Sequence, residues 1–151
     1  MAVSLQHTCQ LTNKCATVGG IPNRRLSMIE VEEHALDTLL AEDPGGPVVM
    51  LNLLRFRPGG RESYRRYAES LGPEINARYG VEVAYLGDGG RPLVAEDGQA
   101  WDMVLLVRYP SRQAFAAMLR DPEYQAVAHF RSEALAESVL QPTVPRGEVV
   151  V

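Results

Sequence analysis

Two segments of this chain, residues 47–54 and 101–109, have the apolar pattern of β-strands that are covered on both faces. Side chains alternate between the two faces of a strand, and in the first segment Asn52 is the only polar residue. The rest of the chain supplies too few helices to cover both sides of a small sheet. We therefore expect helices on one face and a second copy of the protein on the other, which makes the protein a homodimer.

The charge distribution separates the start of the chain from the rest. Residues 1–27 contain Lys14, Arg24 and Arg25 and no acid, which gives a charge of +3, so the total of −4 leaves −7 for residues 28–151. An acidic domain of this kind is a poor candidate for binding nucleic acid or an anionic membrane surface. No apolar run approaches the roughly 20 residues of a membrane span. These properties favour a cytoplasmic protein.

The N-terminal segment does not have the composition of a folded unit or of a targeting signal. It lacks the apolar core of about 7–15 residues that a secretory signal requires. We expect residues 1–27 to be a disordered extension, with Met28 as a candidate natural start. The remaining residues, 28–151, have a length that suits one domain.

The two cysteines lie in the extension, so the predicted domain contains no thiol. Cys9 and Cys15, with His7 nearby, match no common zinc-ligand spacing. We expect unstructured thiols there and no metal site.

Hydrophobic periodicity and turn residues predict an alternation of helices and strands after residue 28. Helices are predicted at about 31–41, 61–79, from 111 onward and at about 121–137, and strands at about 48–56, 81–87, 92–96, 101–109 and 138–144. Gly72-Pro73 should interrupt the second helix. Ser111 is a suitable N-cap, and Asp121-Pro122 is a strong helix start. In the strand at 81–87, Val81, Val83 and Tyr85 are expected on one face.

Several motifs of the predicted domain together resemble one family. These motifs are Tyr64-Arg-Arg-Tyr67, Tyr109-Pro-Ser111, Asp121-Pro-Glu-Tyr-Gln125 and the following Arg131. They are similar to the uncharacterised domain-of-unknown-function 1330 family, over about residues 47–142. The chain departs from many relatives at Tyr79-Gly-Val-Glu82, where those have Gly-Gly-Arg, and it carries an additional leading helix.

The resemblance implies a fold and a range of functions. The family belongs to the dimeric α/β-barrel superfamily, so the expected fold is α+β: a ferredoxin-like antiparallel sheet with helices on one face and an extra N-terminal helix. The superfamily includes cofactor-free monooxygenases, lactone isomerases, cyclases and haem-degrading enzymes that use a pocket between helices and sheet. The resemblance therefore supports the fold more than any one reaction.

Helical geometry distinguishes two polar residues of the helix at 121–137. With 100° per residue, Arg131 lies about 40° from Val127 on the apolar stripe, while His129 lies on the opposite side. A buried guanidinium needs acceptors. Arg131 is either an ion-pair partner of Asp102, Glu74 or a carbonyl, or a clamp for a carboxylate, enolate or phenolate ligand. The outward position of His129 argues against a haem ligand.

Asn52 is the second candidate site residue, because it interrupts an apolar strand face. Its amide either pairs with local backbone or donates to a substrate carbonyl. The resemblance implies the second role, since an Asn, a Trp and a Tyr line the pocket of superfamily oxygenases. Trp101 is available as the Trp, although a single Trp is often a core residue. Tyr64, Tyr67 and Tyr85 are candidates for the Tyr.

The sequence contains no nucleophile elbow, phosphate loop, dinucleotide fingerprint or metalloprotease motif. The predicted function is a cofactor-free enzyme acting on a small aromatic or enolic metabolite, by isomerisation, cyclisation or oxygen insertion. In this hypothesis Asn52, Arg131 and Asp102 are catalytic, and the three tyrosines and Trp101 bind substrate. The alternative is a non-catalytic dimeric module that binds a small ligand or only assembles, which the lack of an obvious general base favours.

Overall fold

A computed structural model describes residues 30–147 of the chain. Within these residues the elements are α1 (Glu33–Ala41), β1 (Val48–Phe56), α2 (Gly60–Tyr79), β2 (Glu82–Asp88), β3 (Met103–Tyr109), α3 (Arg112–Arg120), α4 (Pro122–Ala134) and β4 (Leu135–Thr143). The predicted extension, with Cys9 and Cys15, lies outside the described residues. Its independence from the domain stays a prediction.

The strands form one antiparallel sheet in the order β2-β3-β1-β4. The central strand β1 pairs with β3 on one side and with β4 on the other. Two strand-helix-strand units interleave in this order, which is the ferredoxin-like arrangement, with α1 and α3 as additional helices. The predicted α+β, ferredoxin-like fold with an extra N-terminal helix is therefore confirmed.

The hydrophobic core lies between the helices and one face of the sheet. On this face β1 contributes Val48, Met50 and Leu54, which are almost fully buried. Every helix contributes to the same core, for example through Leu36 of α1 and Phe115 of α3. Strand alternation thus produces the expected face that packs against helices.

The opposite face of the sheet is apolar as well, and we call it the open face. It is defined by Leu51, Leu53, Val104, Leu106 and Val139, which occupy neighbouring register positions on β1, β3 and β4, and it also carries Arg108 and Gln141. These apolar side chains are half-buried and do not belong to the core cluster. Among residues 30–147, the helices pack on the other side, so the apolar pattern of this face is not explained within the described chain.

The predicted starts of α3 and α4 and the break in α2 follow from local signals, whereas α4 ends at Ala134, earlier than the predicted residue 137. Ser111 Oγ accepts a hydrogen bond from Ala114 N at 3.0 Å and begins α3. Asp121 Oδ1 accepts from Glu123 N at 2.7 Å, and Pro122 occupies the first turn of α4. Gly72, with φ of 60°, interrupts α2 directly before Pro73, as predicted.

The predicted strand at 92–96 is wrong. Residues 89–101 form an exposed loop, because Pro92 cannot donate to a ladder and no neighbouring strand is available beyond β2 in the described sheet. A local turn occupies part of this segment, in which Gln99 N donates to Glu96 O at 3.1 Å. Strand β3 consequently begins at Met103, and Trp101 lies before it.

A register shift corrects the predicted face of β2. Val83 pairs with Val107, whereas Tyr85 pairs with Leu106, so an extra residue lies between them. One inserted residue reverses the alternation of side chains. Val83 therefore lies on the helix side of the sheet and Tyr85 on the open side, not together as predicted.

In the described part of the chain, no helix is both long enough and apolar enough to cross a bilayer.

Candidate functional site

A cavity of about 640 Å³ lies between helices α2, α3 and α4 and the helix-facing side of the sheet. Apolar side chains form most of its wall. Examples are Leu71, Val81, Met103, Leu105, Val107, Met118 and Ala128. A mostly apolar cavity of this size with a few polar groups is typical of a small-molecule site.

Four tyrosines line this cavity: Tyr64 and Tyr67 from α2, Tyr109 from β3, and Tyr124 from α4. The hydroxyls of Tyr67 and Tyr124 are 3.3 Å apart, and the rings of Tyr64 and Tyr67 are 5.5 Å apart between centroids. The ring contacts fix the phenols around one space. The sequence predicted Tyr64 and Tyr67 as site residues, and the structure brings them together.

The buried phenols are hydrogen-bond donors at neutral pH. Burial raises the pKa of Tyr67 well above its usual value and also raises the pKa of Tyr64 and Tyr109. The nearby charge of Arg131 partly opposes this effect in all three. Because desolvation dominates, these groups keep their protons and can donate to a ligand oxygen.

Arg131 lies on the cavity wall, half-buried, as its position on the apolar stripe of α4 predicted. Its positive charge acts on Tyr64, Tyr67 and Tyr109, so the guanidinium and the phenols share one electrostatic environment. His129 is exposed, as predicted, but it also borders the cavity. Helical geometry therefore predicted the exposure of both side chains correctly, but it did not show that His129 borders the cavity.

Asn52 is buried on the helix-facing side of β1 and lines the cavity. Its Nδ2 donates to Met50 O at 3.2 Å, which is the local backbone pairing that the sequence left open. The side chain is thus held in place by its own strand while it forms part of the cavity wall.

Three other predicted site residues do not line this cavity. Asp102 Oδ2 accepts from Phe56 N at 2.8 Å, and its own N–H donates to Leu54 O at 2.8 Å, so Asp102 fixes the end of the β1–β3 pairing. The guanidinium carbon of Arg55 lies over the Trp101 ring, 5.1 Å from the ring centroid. Tyr85 projects from the open side of β2. The structure thus separates these residues from Asn52 and Arg131.

Sequence reasoning did not include Tyr109, Tyr124 or Arg61 in the site, although all three line the cavity. Tyr109 shares a strand face with Leu105, and Tyr124 lies on the apolar stripe of α4, and periodicity alone does not distinguish a core position from a cavity wall. Arg61 Nη1 lies 2.7 Å from Asp88 Oδ1, and its guanidinium is 5.1 Å from the Phe56 ring centroid. Only the three-dimensional arrangement shows that these side chains share one cavity.

The groups near the cavity that could accept a proton are at its rim. Glu30 and His129 border the cavity and are exposed, and Glu30 Oε1 accepts from Ser132 Oγ at 2.7 Å. Among residues 30–147, no group of three His, Cys, Asp or Glu side chains is arranged to hold a metal ion.

Comparison with protein families gives a match over residues 54–141 to a domain of unknown function, DUF1330. The matched region is more than half of the chain. The chain belongs to the DUF1330 family. This region of the DUF1330 protein includes Tyr64, Tyr67, Tyr109, Tyr124 and Arg131, and it begins two residues after Asn52.

Solved structures agree with this assignment. RPA0582 of Rhodopseudomonas palustris, a protein of unknown function, is 31% identical with a TM-score of 0.72, over 80% of this chain and 98% of that chain. Its methylated form is 30% identical with a TM-score of 0.73, over 82% and 98%. A protein from Bacteroides thetaiotaomicron, proposed as an antibiotic-biosynthesis monooxygenase, is 20% identical with a TM-score of 0.50, over 70% and 94%. This last likeness concerns the fold alone. None of the curated proteins matches the chain.

Proposed function

We propose that this DUF1330 protein is a cofactor-independent enzyme that acts on a small aromatic or enolic metabolite in the cavity between its helices and sheet. The observation that carries the proposal is the convergence of neutral phenols, the Asn52 amide and the Arg131 guanidinium on the wall of a mostly apolar cavity of about 640 Å³. Donors and a fixed positive charge in such surroundings stabilise negative charge that develops on a ligand oxygen. The apolar walls suit the ring system of the ligand.

Each polar side chain has a distinct role in this proposal. Arg131 and Asn52 hold the developing oxyanion, Arg131 by its charge and Asn52 by its amide. Tyr64 and Tyr67 donate hydrogen bonds and fix the ring plane of the substrate. Asp102 is a positioning residue, since it fixes the strand ends rather than facing the cavity.

The reaction begins when a carbon next to a carbonyl loses a proton and the carbonyl becomes an enolate. Return of the proton at another carbon completes an isomerisation. If dioxygen instead takes electrons from the enolate, a CH₂ group and O₂ become C=O and H₂O, so the substrate itself is the reductant. Glu30 and His129 are the acidic and imidazole side chains at the cavity rim that could accept the first proton.

A non-catalytic ligand-binding module is the second candidate. A specific observation favours it: in the described chain the buried and half-buried residues of the cavity wall include phenols, Asn52 and Arg131 but no carboxylate or imidazole, whereas Glu30 and His129 are exposed. A site without a buried base can bind an enol without accelerating its formation. The rate of enolisation of a bound ketone distinguishes the two functions.

We also propose that two copies of the protein pair through their open faces. Leu51, Leu53, Val104, Leu106 and Val139 give this face an apolar character that the described helices do not cover. A contiguous apolar surface of this kind is typical of a contact with another chain. The cavity lies on the other side of each sheet, so both sites remain accessible in the dimer.

Anthrone, an aromatic ketone with an acidic CH₂ group, is a suitable probe of enolisation. In D₂O under nitrogen, we expect the wild-type protein to accelerate exchange of the CH₂ protons, measured by NMR, and in air to accelerate uptake of dioxygen. Arg131→Met should reduce the exchange rate about 100-fold or more, because the oxyanion loses its charged donor.

The controls separate enzyme, binding module and inert protein. Glu133→Gln, an exposed change on the same helix, should exchange anthrone as the wild type does. Binding of anthrone without faster exchange would support the binding module and contradict the enzyme. Failure of anthrone and of smaller cyclic ketones to bind would contradict both functions of the cavity.

A further inference from the structure

The loop between β2 and β3 contains no helix or strand, and we call residues 89–101 the arm. Its two ends are joined, because Gly89 N donates to the carbonyl of Asp102 at 3.0 Å. A Cβ atom at Gly89 would lie 1.8 Å from the carbonyl oxygen of Trp101, so this close crossing requires glycine. The base of the arm is therefore a closed and tightly packed structure.

Arg55 fixes the arm on one side of the sheet. It follows Leu53 on the open side of β1, and its Nε and Nη2 donate to Ala100 O at 3.2 and 2.8 Å. Its guanidinium also lies over Trp101 and 3.2 Å from Glu137 Oε2. The base of the arm is thus held by several contacts from the open side of β1.

The end of the arm is apolar and fully exposed. Leu93 and Val94 are 101% and 96% exposed, and the neighbouring Pro92 and Ala95 are exposed as well. Single exposed apolar residues are common, but four in sequence indicate a contact surface. Residues 92–95 form the tip of the arm.

The size of the open face indicates what the tip contacts. Four strands of seven to nine residues give a face of roughly 25 by 20 Å, or about 500 Å² in outline. A stable interface buries about 800 Å² on each partner, so this face alone is small for one. The arm, whose base is held by Arg55 from the open side, carries additional exposed apolar area at its tip.

We propose that the tip of each arm packs against a second copy of this chain, so that each of the two arms contacts the partner chain in the dimer formed by the open faces. This inference rests on the open-face dimer proposed above. It adds a contact that the sheet does not provide, and it identifies Leu93 and Val94 as its main apolar residues.

The test is the dimer dissociation constant of the full chain, measured by sedimentation over a dilution series. The double variant Leu93→Ser/Val94→Ser should bind its copy about 100-fold more weakly, because four apolar side chains per dimer lose their burial. Val31→Ser is the matched control: Val31 is 38% exposed and borders the cavity on the helix side, so its loss should leave the constant unchanged. Far-UV circular dichroism should show the same fold for all three proteins.

A second variant, Leu106→Asp, separates the arm from the open face. If it abolishes dimers while the tip variant dimerises as the wild type does, the open-face dimer stands and the arm proposal is overturned. A tip that contacts a different protein or residues 1–29 gives that same overturning result. A wild-type protein that is monomeric at micromolar concentration would overturn the dimer and the arm together.

Discussion

At the scale of single residues, the proposed chemistry of the cavity depends on the guanidinium of Arg131 and the neutral phenols around it. The charge of Arg131 acts on Tyr64, Tyr67 and Tyr109, whose burial keeps them protonated. A charge held in apolar surroundings interacts more strongly with a ligand anion than one in water. Lysine would not replace Arg131 well, because it lacks the planar fork of donors that binds two oxygens.

A glycine sets the distance between α2 and α4, the two helices that carry most of these side chains. Gly60 is buried, and a Cβ atom there would lie 2.1 Å from the carbonyl oxygen of Ala134. We predict that Gly60→Ala lowers the free energy of unfolding by about 2 kcal/mol or more, because backbone must move to relieve the overlap. Urea denaturation measures this change.

Gly90→Ala is the matched control for that prediction, because a Cβ atom at Gly90 meets nothing within 4 Å. Its stability should stay within about 0.5 kcal/mol of the wild type. Equal stability of both variants would show that α2 and α4 do not approach each other this closely.

At the scale of elements, a polar cluster joins the end of α2 to the start of α4. Asp121 caps α4, and its Oδ2 accepts hydrogen bonds from Tyr79 Oη at 2.5 Å and Arg78 Nη1 at 2.8 Å. These two donors belong to the last turn of α2. The cluster therefore fixes the two helices that form the cavity at their adjoining ends.

This cluster predicts a pH dependence of stability. The hydrogen bond from Tyr79, with those from Glu123 N and Arg78, lowers the pKa of Asp121. A carboxyl whose pKa is lowered on folding stabilises the folded protein at pH values above its pKa in the unfolded state, which is about 4. This stabilisation is lost as the pH falls through the pKa of the folded state. The free energy of unfolding should decrease as the pH is lowered below about 4, and this decrease should be smaller in Asp121→Asn.

Urea midpoints between about pH 7 and pH 2.5 measure this effect. Asn is a good N-cap, so the variant removes the charge and keeps the cap. Glu133→Gln, an exposed change within α4, should retain the pH dependence of the wild type. An Asp121→Asn profile parallel to that of the wild type would contradict the role of the ionised carboxylate.

The sequence predicted elements best where local chemistry determines them. Caps at Ser111 and Asp121 depend on adjacent residues only, and the break at Gly72 depends on the following proline. The face of Tyr85 was not predictable in the same way, because a single inserted residue in β2 reverses it. The shared position of Tyr109 and Arg131 was not predictable either, because it depends on packing between distant elements.

At the scale of the whole molecule, the apolar pattern of β1 and β3 has a different explanation on each face of the sheet. One side packs against the described helices and forms the core and cavity. The other is the open face, for which we propose a second copy. The pattern alone predicted that both faces of the sheet are covered. It did not predict the arm, because residues 92–96 were interpreted as a strand.

The same scale includes residues 1–27, whose composition differs from that of the domain. We predict that a chain beginning at Met28 melts within about 3 °C of the full chain, because the apolar periodicity begins after that residue. Differential scanning calorimetry of both proteins at equal concentration measures this. A much lower melting temperature would show that the first 27 residues stabilise the domain.

The central claim is that the cavity stabilises a negative charge on a ligand oxygen through Arg131. The most direct measurement is the pKa of 4-nitrophenol when bound, obtained from its absorbance, with nitrobenzene as the neutral ligand of similar shape. The wild type and His129→Ala should bind nitrophenolate more tightly than nitrobenzene and lower the pKa of the bound phenol. Arg131→Met should fold, bind nitrobenzene equally well and lose the preference for the anion. If Arg131→Met lowers the pKa of the bound phenol as much as the wild type does, the account is contradicted.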